Sequence, residues 1–291
     1  MKRLIALALA LVLSLALAAC GSGAAPSPSA SAPAESSAAP AESAPAESAS
    51  AESDLDYVKG KGALVIGYTV YAPMNYTDDN GEFTGFDTEL AEAVCEKLGV
   101  EPQFQEIVWE TKEIELASKT IDCIWNGMTL DPEREANMAC TVPYVKNAQV
   151  VVMKADADYA DTSSLIGKSV CAEVGSAGET QILGNEETKP DANLAQADYV
   201  GKSVQTDCLM EVAAGTCDAA VLDMTLANAM IGEGTDYAGL KIVDELAVEN
   251  YGVAFRQGSD VRDAVNEIFA EMVADGSLGA LADKYGLELA D

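Results

Sequence analysis

Glu115-Leu116-Ala117-Ser118-Lys119-Thr120-Ile121-Asp122 recurs further along the chain as Glu211-Val212-Ala213-Ala214-Gly215-Thr216-Cys217-Asp218, identical at four of eight positions. Each copy reads as a helix end, a tight turn and an aspartate leading into an apolar strand. The strands are Cys123-Ile124-Trp125 and Ala219-Ala220-Val221-Leu222. A second echo stands ahead of each copy: Gly60-Lys61 precedes the strand-like residues 63–67, and Gly167-Lys168 precedes residues 169–174. Two echoes in the same order predict two similar β/α lobes rather than one long sheet.

Strand-like and helix-like segments alternate outward from these copies. Residues 76–83 read as a hairpin around Asn80-Gly81, and Asp87 reads as the cap of a helix carrying Leu90, Val94 and Leu98 before Gly99 stops it. Asp131-Pro132 opens another helix with proline in its first position. Near the end, Val261, Ala264, Val265, Ile268, Phe269, Met272 and Val273 form a 3.6-period stripe closed by Gly276. The alternation predicts an α/β protein with mostly parallel sheet.

Before this body the composition is different. Met1-Lys2-Arg3 heads an apolar run over residues 4–19 whose one polar residue is Ser14, followed by Cys20. Charged head, apolar run and small residues at the end have the layout of a secretory signal peptide, and the run is shorter than the ~20 residues a spanning helix needs. Leu17-Ala18-Ala19-Cys20 resembles a bacterial lipobox, which implies a signal peptide over residues 1–20 and lipidation of Cys20. Over residues 21–54, Pro-Ala-Glu-Ser recurs at Pro33, Pro40 and Pro45 with no aromatic or branched aliphatic residue. Nothing there offsets the entropy of ordering, so the stretch reads as a disordered tether.

The 291 residues hold 48 acidic and 17 basic groups, a net charge of −31, and no histidine. Such a surface repels phosphate backbones, which argues against nucleic acid as a partner. Without histidine there is no Ser-His-Asp or Cys-His nucleophile and no His-ligated metal. The body's six cysteines fit no zinc or redox spacing and are expected to be mostly free thiols. Asp78-Asp79-Asn80-Gly81-Glu82 is read as a turn, because the first ligand position of a calcium loop would fall on Tyr76.

In open α/β sheets ligands lie beyond the carboxyl ends of the strands. That rule selects Asn126-Gly127-Met128-Thr129 after the first echo strand and Asp223 after the second. Asp223 reads equally as an N-cap for a following helix. Arg134 stands at the start of a helix, where the macrodipole disfavours a cation. It either pairs at the surface with Glu133 or Glu135 or aims at a ligand carboxylate.

Taken together, Tyr71-Ala72-Pro73-Met74, Gly85-Phe86-Asp87, Met128-Thr129-Leu130-Asp131-Pro132-Glu133-Arg134, Gly175-Ser176, Ala214 to Asp223 and Tyr251-Gly252-Val253-Ala254-Phe255-Arg256 resemble the polar-amino-acid solute-binding proteins of ABC importers. The resemblance covers about residues 58–286. It implies a periplasmic-binding-protein-like α/β fold of two lobes joined by a two-strand hinge. Lobe 1 would span 55–144 and 252–291, lobe 2 149–247, with hinge strands near 144–148 and 246–251. It further implies a monomer without cofactor or metal that binds a free amino acid and passes it to a permease. The arginine at the Arg134 position forks onto the ligand carboxylate in such proteins, helped by Asn126, Gly127 and Thr129, while Asp223 takes the ammonium. Tyr71 and Trp109 would sandwich the ligand, and the turn at Gly175, Ser176 and Ala177 would close the carboxylate cage. Ala177 stands where many relatives carry a second hydroxyl, so it can help only through its backbone.

Glu173, two residues before the turn glycine, either faces the ligand side chain, favouring arginine, lysine or ornithine, or is a strand-edge glutamate facing water. Neutral polar amino acids and cystine stay open. The same resemblance extends to dehydratases of cyclic amino-acid precursors, for which a paired carboxyl site with raised pKa would speak and an intact Arg134/Asp223 cage would speak against. A sensory protein is the remaining alternative.

Overall fold

The structure, a computed structural model, describes residues 53–291. Residues 1–52, which hold the expected signal peptide, Cys20 and most of the expected tether, lie outside the described residues. Ser53 and Asp54, which composition groups with the tether, fold with the body. The Ser53 hydroxyl accepts the Asp56 N–H and donates to Asp260 at 2.6 Å, while Asp54 pairs with Arg256 at 2.9 Å.

Helix α1 (Asp54–Lys61) leads into β1 (Ala63–Tyr68), and a short hairpin of β2 (Tyr76–Thr77) and β3 (Phe83–Thr84) precedes α2 (Phe86–Leu98). Next come β4 (Glu101–Glu106), α3 (Lys112–Ala117), β5 (Cys123–Thr129), α4 (Pro132–Asn137), β6 (Ala139–Cys140) and β7 (Val145–Lys154). The second run consists of β8 (Ser169–Glu173), α5 (Ala177–Leu183), β9 (Asp198–Lys202), α6 (Gln205–Ala214), β10 (Ala219–Asp223) and α7 (Met224–Met230). The chain closes with β11 (Leu240–Phe255), α8 (Val261–Ala274) and α9 (Ser277–Tyr285).

The strands hydrogen-bond in the order β4-β1-β5-β11-β7-β10-β8-β9, with β6 added onto β11. Each half repeats one plan: β1 lies parallel between β4 and β5, and β8 lies parallel between β9 and β10. An antiparallel strand then closes each half, β11 on β5 and β7 on β10. The two halves are not separate sheets, as the sequence reading had it. β7 and β11 are long enough to run from one half into the other, and they stay paired from Leu240↔Lys154 to Tyr251↔Val145. The hinge segments anticipated from the sequence fall inside this paired ribbon.

The sequence echoes have a structural cause. Asp122 accepts the Val65 N–H at 2.8 Å and pairs with Lys61; Asp218 accepts the Ser169 N–H at 2.9 Å and faces Lys168 at 3.6 Å. In each half the aspartate ahead of the third strand ties down the start of the first, and the Gly-Lys pair supplies its counter-ion.

The core lies on both faces of the sheet. On the face bearing α8, the predicted stripe buries Val261, Val265, Ile268, Phe269 and Met272, while Val273 is exposed. Ile121, Ile124, Met128 and Trp109 pack on the opposite face of the first half, and Val151, Val170, Ile182 and Val221 do so in the second. The cysteines from Cys95 to Cys217 are all free. Among the described residues no helix is long and apolar enough to cross a membrane.

Candidate functional site

β5 and β10 end facing one small, nearly closed cleft. Ten of the residues singled out from the sequence line it: Tyr71, Trp109, Asn126, Gly127, Thr129 and Arg134 from the first half, and Glu173, Ser176, Ala177 and Asp223 from the second. Gln205 is the eleventh.

Arg134 is buried rather than paired at the surface. Asp131 caps α4, and its carboxylate accepts the Arg134 N–H at 2.8 Å while the other oxygen lies 3.3 Å from Nε. Nη1 donates to the Thr129 carbonyl at 2.9 Å and Nη2 to the Gly175 carbonyl at 3.0 Å. Of the five guanidinium N–H groups this leaves one on each Nη, the forked pair that a carboxylate accepts. Asp131 thus positions the cation from behind, a role that its place as a helix cap concealed. Gly175, the acceptor in the second half, also takes a hydrogen bond from buried Lys112 at 3.0 Å. The Lys112 ammonium lies over the Trp109 ring, and burial lowers its pKa to about 8. Two cations of the first half therefore meet on one carbonyl of the second.

Asn126 and Gly127 serve the cleft differently from the expectation. The Asn126 side chain is committed to Thr69 and Asn75, donating at 2.8 Å to each and accepting from the Thr69 hydroxyl at 2.7 Å. It shapes the cleft wall and has no free amide for a carboxylate. The Gly127 N–H donates at 2.6 Å to Asp87, which is fully buried, also accepts from Tyr144, and has its pKa pushed by burial to about 7. Asp87 is therefore not the cap of α2. The cap position is Gly85, and the carboxylate points inward to hold the Gly127 turn. Gly127 has φ +56°, and a Cβ there would come within 2.8 Å of the Tyr71 ring.

Asp223 holds the N-cap position of α7, but its side chain does not cap the helix. It makes no cap bond to α7; Oδ1 accepts from Asn147 and Gln149 at 2.6 Å each, and Oδ2 accepts from Gln205. Burial raises its pKa. Oε1 of Glu249, on β11, accepts from the same two amides at 2.6 and 2.8 Å and from Thr129 Oγ1 at 2.8 Å. The Tyr71 hydroxyl bonds to Thr225 and Tyr251, fastening its ring against the second half. Ser176 caps α5 by accepting the Glu179 N–H at 3.1 Å, and Glu179 returns a bond from the Gly175 N–H at 2.7 Å. Ala177 begins that helix and offers only backbone, as expected.

Glu173 faces the interior, not water. It is 3% exposed, its Oε1 has no hydrogen-bond partner, and burial beside Asp223 pushes its pKa up to about 8.

Gln205, Asn147, Gln149, Glu249, Lys112 and Asp131 were not found by sequence reasoning as site residues. Gln205 follows β9, so the carboxyl-end rule could have selected it. Asn147 and Gln149 are two uncharged polar residues at alternate positions in a strand that is otherwise apolar between Lys146 and Lys154, which is also a readable signal. Glu249 and Lys112 carry none.

Residues 64–288 match the sequence model of the bacterial extracellular solute-binding proteins, family 3. The chain is similar to the arginine-binding extracellular protein ArtP of Bacillus subtilis (strain 168), 29% identical over 228 residues, covering 78% of this chain and 87% of that one. It also resembles two solved structures. A mutant of ArgBP from T. maritima gives a TM-score of 0.72 at 29% identity, covering 80% of this chain and 98% of that chain. The ancestral amino acid-binding protein AncCDT-1, described as a precursor of cyclohexadienyl dehydratase, gives 0.71 at 27% identity, covering 80% and 99%.

Proposed function

Because the chain belongs to the bacterial extracellular solute-binding proteins of family 3, we propose that it clasps a free polar L-amino acid between the two halves of its sheet. One observation carries this reading: a buried guanidinium from the first half and a buried carboxylate from the second line the same small cleft. A planar forked donor fits an α-carboxylate, and a carboxylate among amide donors fits an α-ammonium. Tyr71 and Trp109 supply ring surface between them. The lobes run over 55–144 with 252–291 and over 149–247.

The amino acid is cationic in this reading. Glu173, Asp223 and Glu249 crowd three carboxyl groups at this end of the site, while Arg134 is already paired with Asp131 and Lys112 is spent on backbone carbonyls, so a cationic side chain would supply the counter-charge that the acidic end lacks. The unpartnered Glu173 oxygen is where that side chain ends. The likeness to arginine-binding proteins supports the same choice.

The chain is exported, held at the extracytoplasmic face of the membrane by lipid on Cys20, and hands its ligand as a monomer to an ABC importer permease. The lipobox-like leader and the family support this. Calorimetry against the twenty amino acids, ornithine and cystine tests the central claim: a saturable heat for a cationic amino acid is expected, and no saturable heat for any of them refutes it.

A second reading has its own observation. Glu173 is a buried carboxyl whose pKa burial pushes up to about 8, in a fold like that of a dehydratase precursor, and a carboxyl held protonated in this way can serve as a general acid. The intact Arg134/Asp223 cage favours holding a ligand over converting it. Titration with a cyclohexadienol carboxylate separates the two, because turnover gives heat that continues after each injection and a new aromatic absorbance.

A further inference from the structure

We propose that Glu249 is the second carboxylate of the ammonium subsite, sharing one proton with Asp223 that an incoming α-ammonium displaces. The inference rests on the amino-acid reading above and adds a residue and an exchange to it.

The geometry begins with the donors. Asn147 Nδ2 and Gln149 Nε2, both on β7, each bond to Asp223 Oδ1 and to Glu249 Oε1, at 2.6 to 2.8 Å. Two carboxylates reached from the same two nitrogens are close neighbours, and neutral amides cannot offset two negative charges brought together where Asp223 is buried and Glu249 half-buried. No cation does so among the described residues. Arg134 is engaged by Asp131 and two carbonyls. The Lys112 ammonium goes to the carbonyls of Trp109 and Gly175. Lys146, next to Asn147 in sequence, turns outward to Glu288 and Asp291.

The remaining groups around the pair add no positive charge. Glu173 faces Asp223 from β8, and Tyr71 and Tyr251 close the floor with their hydroxyls bonded to Thr225 and to each other. Gln205, from α6, covers the far oxygen of Asp223. Burial and the Asp223 charge push Glu249 to a pKa of about 8, in keeping with one proton held between the two.

An α-ammonium brings three N–H donors and one positive charge to this place, so both carboxylates can ionise and the shared proton leaves to the buffer. No bond to carbon changes. A deaminated acid keeps the Arg134 contact but has nothing to exchange for the proton. Glu249 therefore sets selectivity for an amine over its deaminated analogue and makes the affinity rise with pH.

Isothermal titration of the parent protein with L-arginine, L-lysine, L-histidine, L-glutamine and L-cystine, in buffers of different ionisation enthalpy at pH 6, 7 and 8, counts protons. Release of about one proton per bound neutral amino acid at pH 6 and 7 is expected, with affinity rising about tenfold per pH unit over that interval, and a cationic amino acid that also ionises Glu173 releases about one more. Glu249→Gln keeps the size and both polar ends. It should release about one proton fewer than the parent with the same amino acid, so that any proton from Glu173 cancels in the difference. The corresponding deaminated acid should release one fewer from the parent as well. Saturable binding with no proton exchange in the parent, or an unchanged count in Glu249→Gln, overturns this inference alone. No saturable binding of any of the five overturns the amino-acid reading and this inference together. The parent measurement decides the matter even if Glu249→Gln does not fold.

Discussion

Glu173→Gln should raise stability and reverse ligand preference at once. A carboxyl that titrates at about 8 in the fold and near 4.5 when free makes the folded state bind the extra proton between those values. Stability from this group is therefore complete below pH 4.5 and is lost as the pH rises towards 8. At pH 7 the loss amounts to about 3 kcal/mol, a ceiling that any hydration of the cleft lowers. Glutamine removes the titration. For a body of this size, 3 kcal/mol corresponds to about 6–12 °C in Tm at pH 7, and the gap should close at pH 4. With a cationic amino acid present the sign inverts. Losing the buried counter-charge should cost about 2–3 kcal/mol, roughly 30- to 150-fold in affinity, while neutral amino acids hold or gain. Thermal shift across pH 4–8, with and without each ligand, reads both effects. Superimposable curves for parent and variant, with the ligand ranking unchanged, would refute the argument.

Three further outcomes follow from the cleft. Arg134→Ala should leave the circular dichroism spectrum intact but weaken amino-acid binding by about 3–5 kcal/mol, because a buried charge loses its partner; affinity within threefold of the parent's would contradict it. Asp223→Asn should weaken α-amino acids while sparing deaminated analogues, and equal losses in calorimetry would remove Asp223 from the ammonium site. Gly127→Ala forces a Cβ against the Tyr71 ring at positive φ and should lower stability by about 1–3 kcal/mol in urea titration, an unaltered midpoint being the contrary result.

The β/α plan and the cleft lining were legible because they depend on local pattern: strand, carboxyl-end turn, helix start. Asp131-Pro132 folds as read because a cap needs only its own helix. Asp87 was misread for the same reason. Its position suits a cap, and what draws it inward is Gly127 and Tyr144, far away in sequence. Glu173 shows the limit of pattern: the last residue of a strand faces water or cleft depending on what packs over it, and Lys112 and Gln205 are brought there only by the fold. The unbroken sheet was equally hidden, since the echoes report two similar units but not how two long strands join them.

Those two strands bear on how the molecule can bend. A hinge made of loops opens by swinging about a few free torsions, with little restoring force. In the ribbon of β7 and β11 every closing movement is instead taken up as twist in paired backbone, eased at the register shifts between Ile242 and Asp244 and between Glu245 and Ala247. It behaves like a torsion bar, keeping its cross-strand bonds while it turns. Asn147, Gln149 and Glu249 are mounted on that bar, so the grip on Asp223 tightens or slackens with the same rotation that moves the lobes.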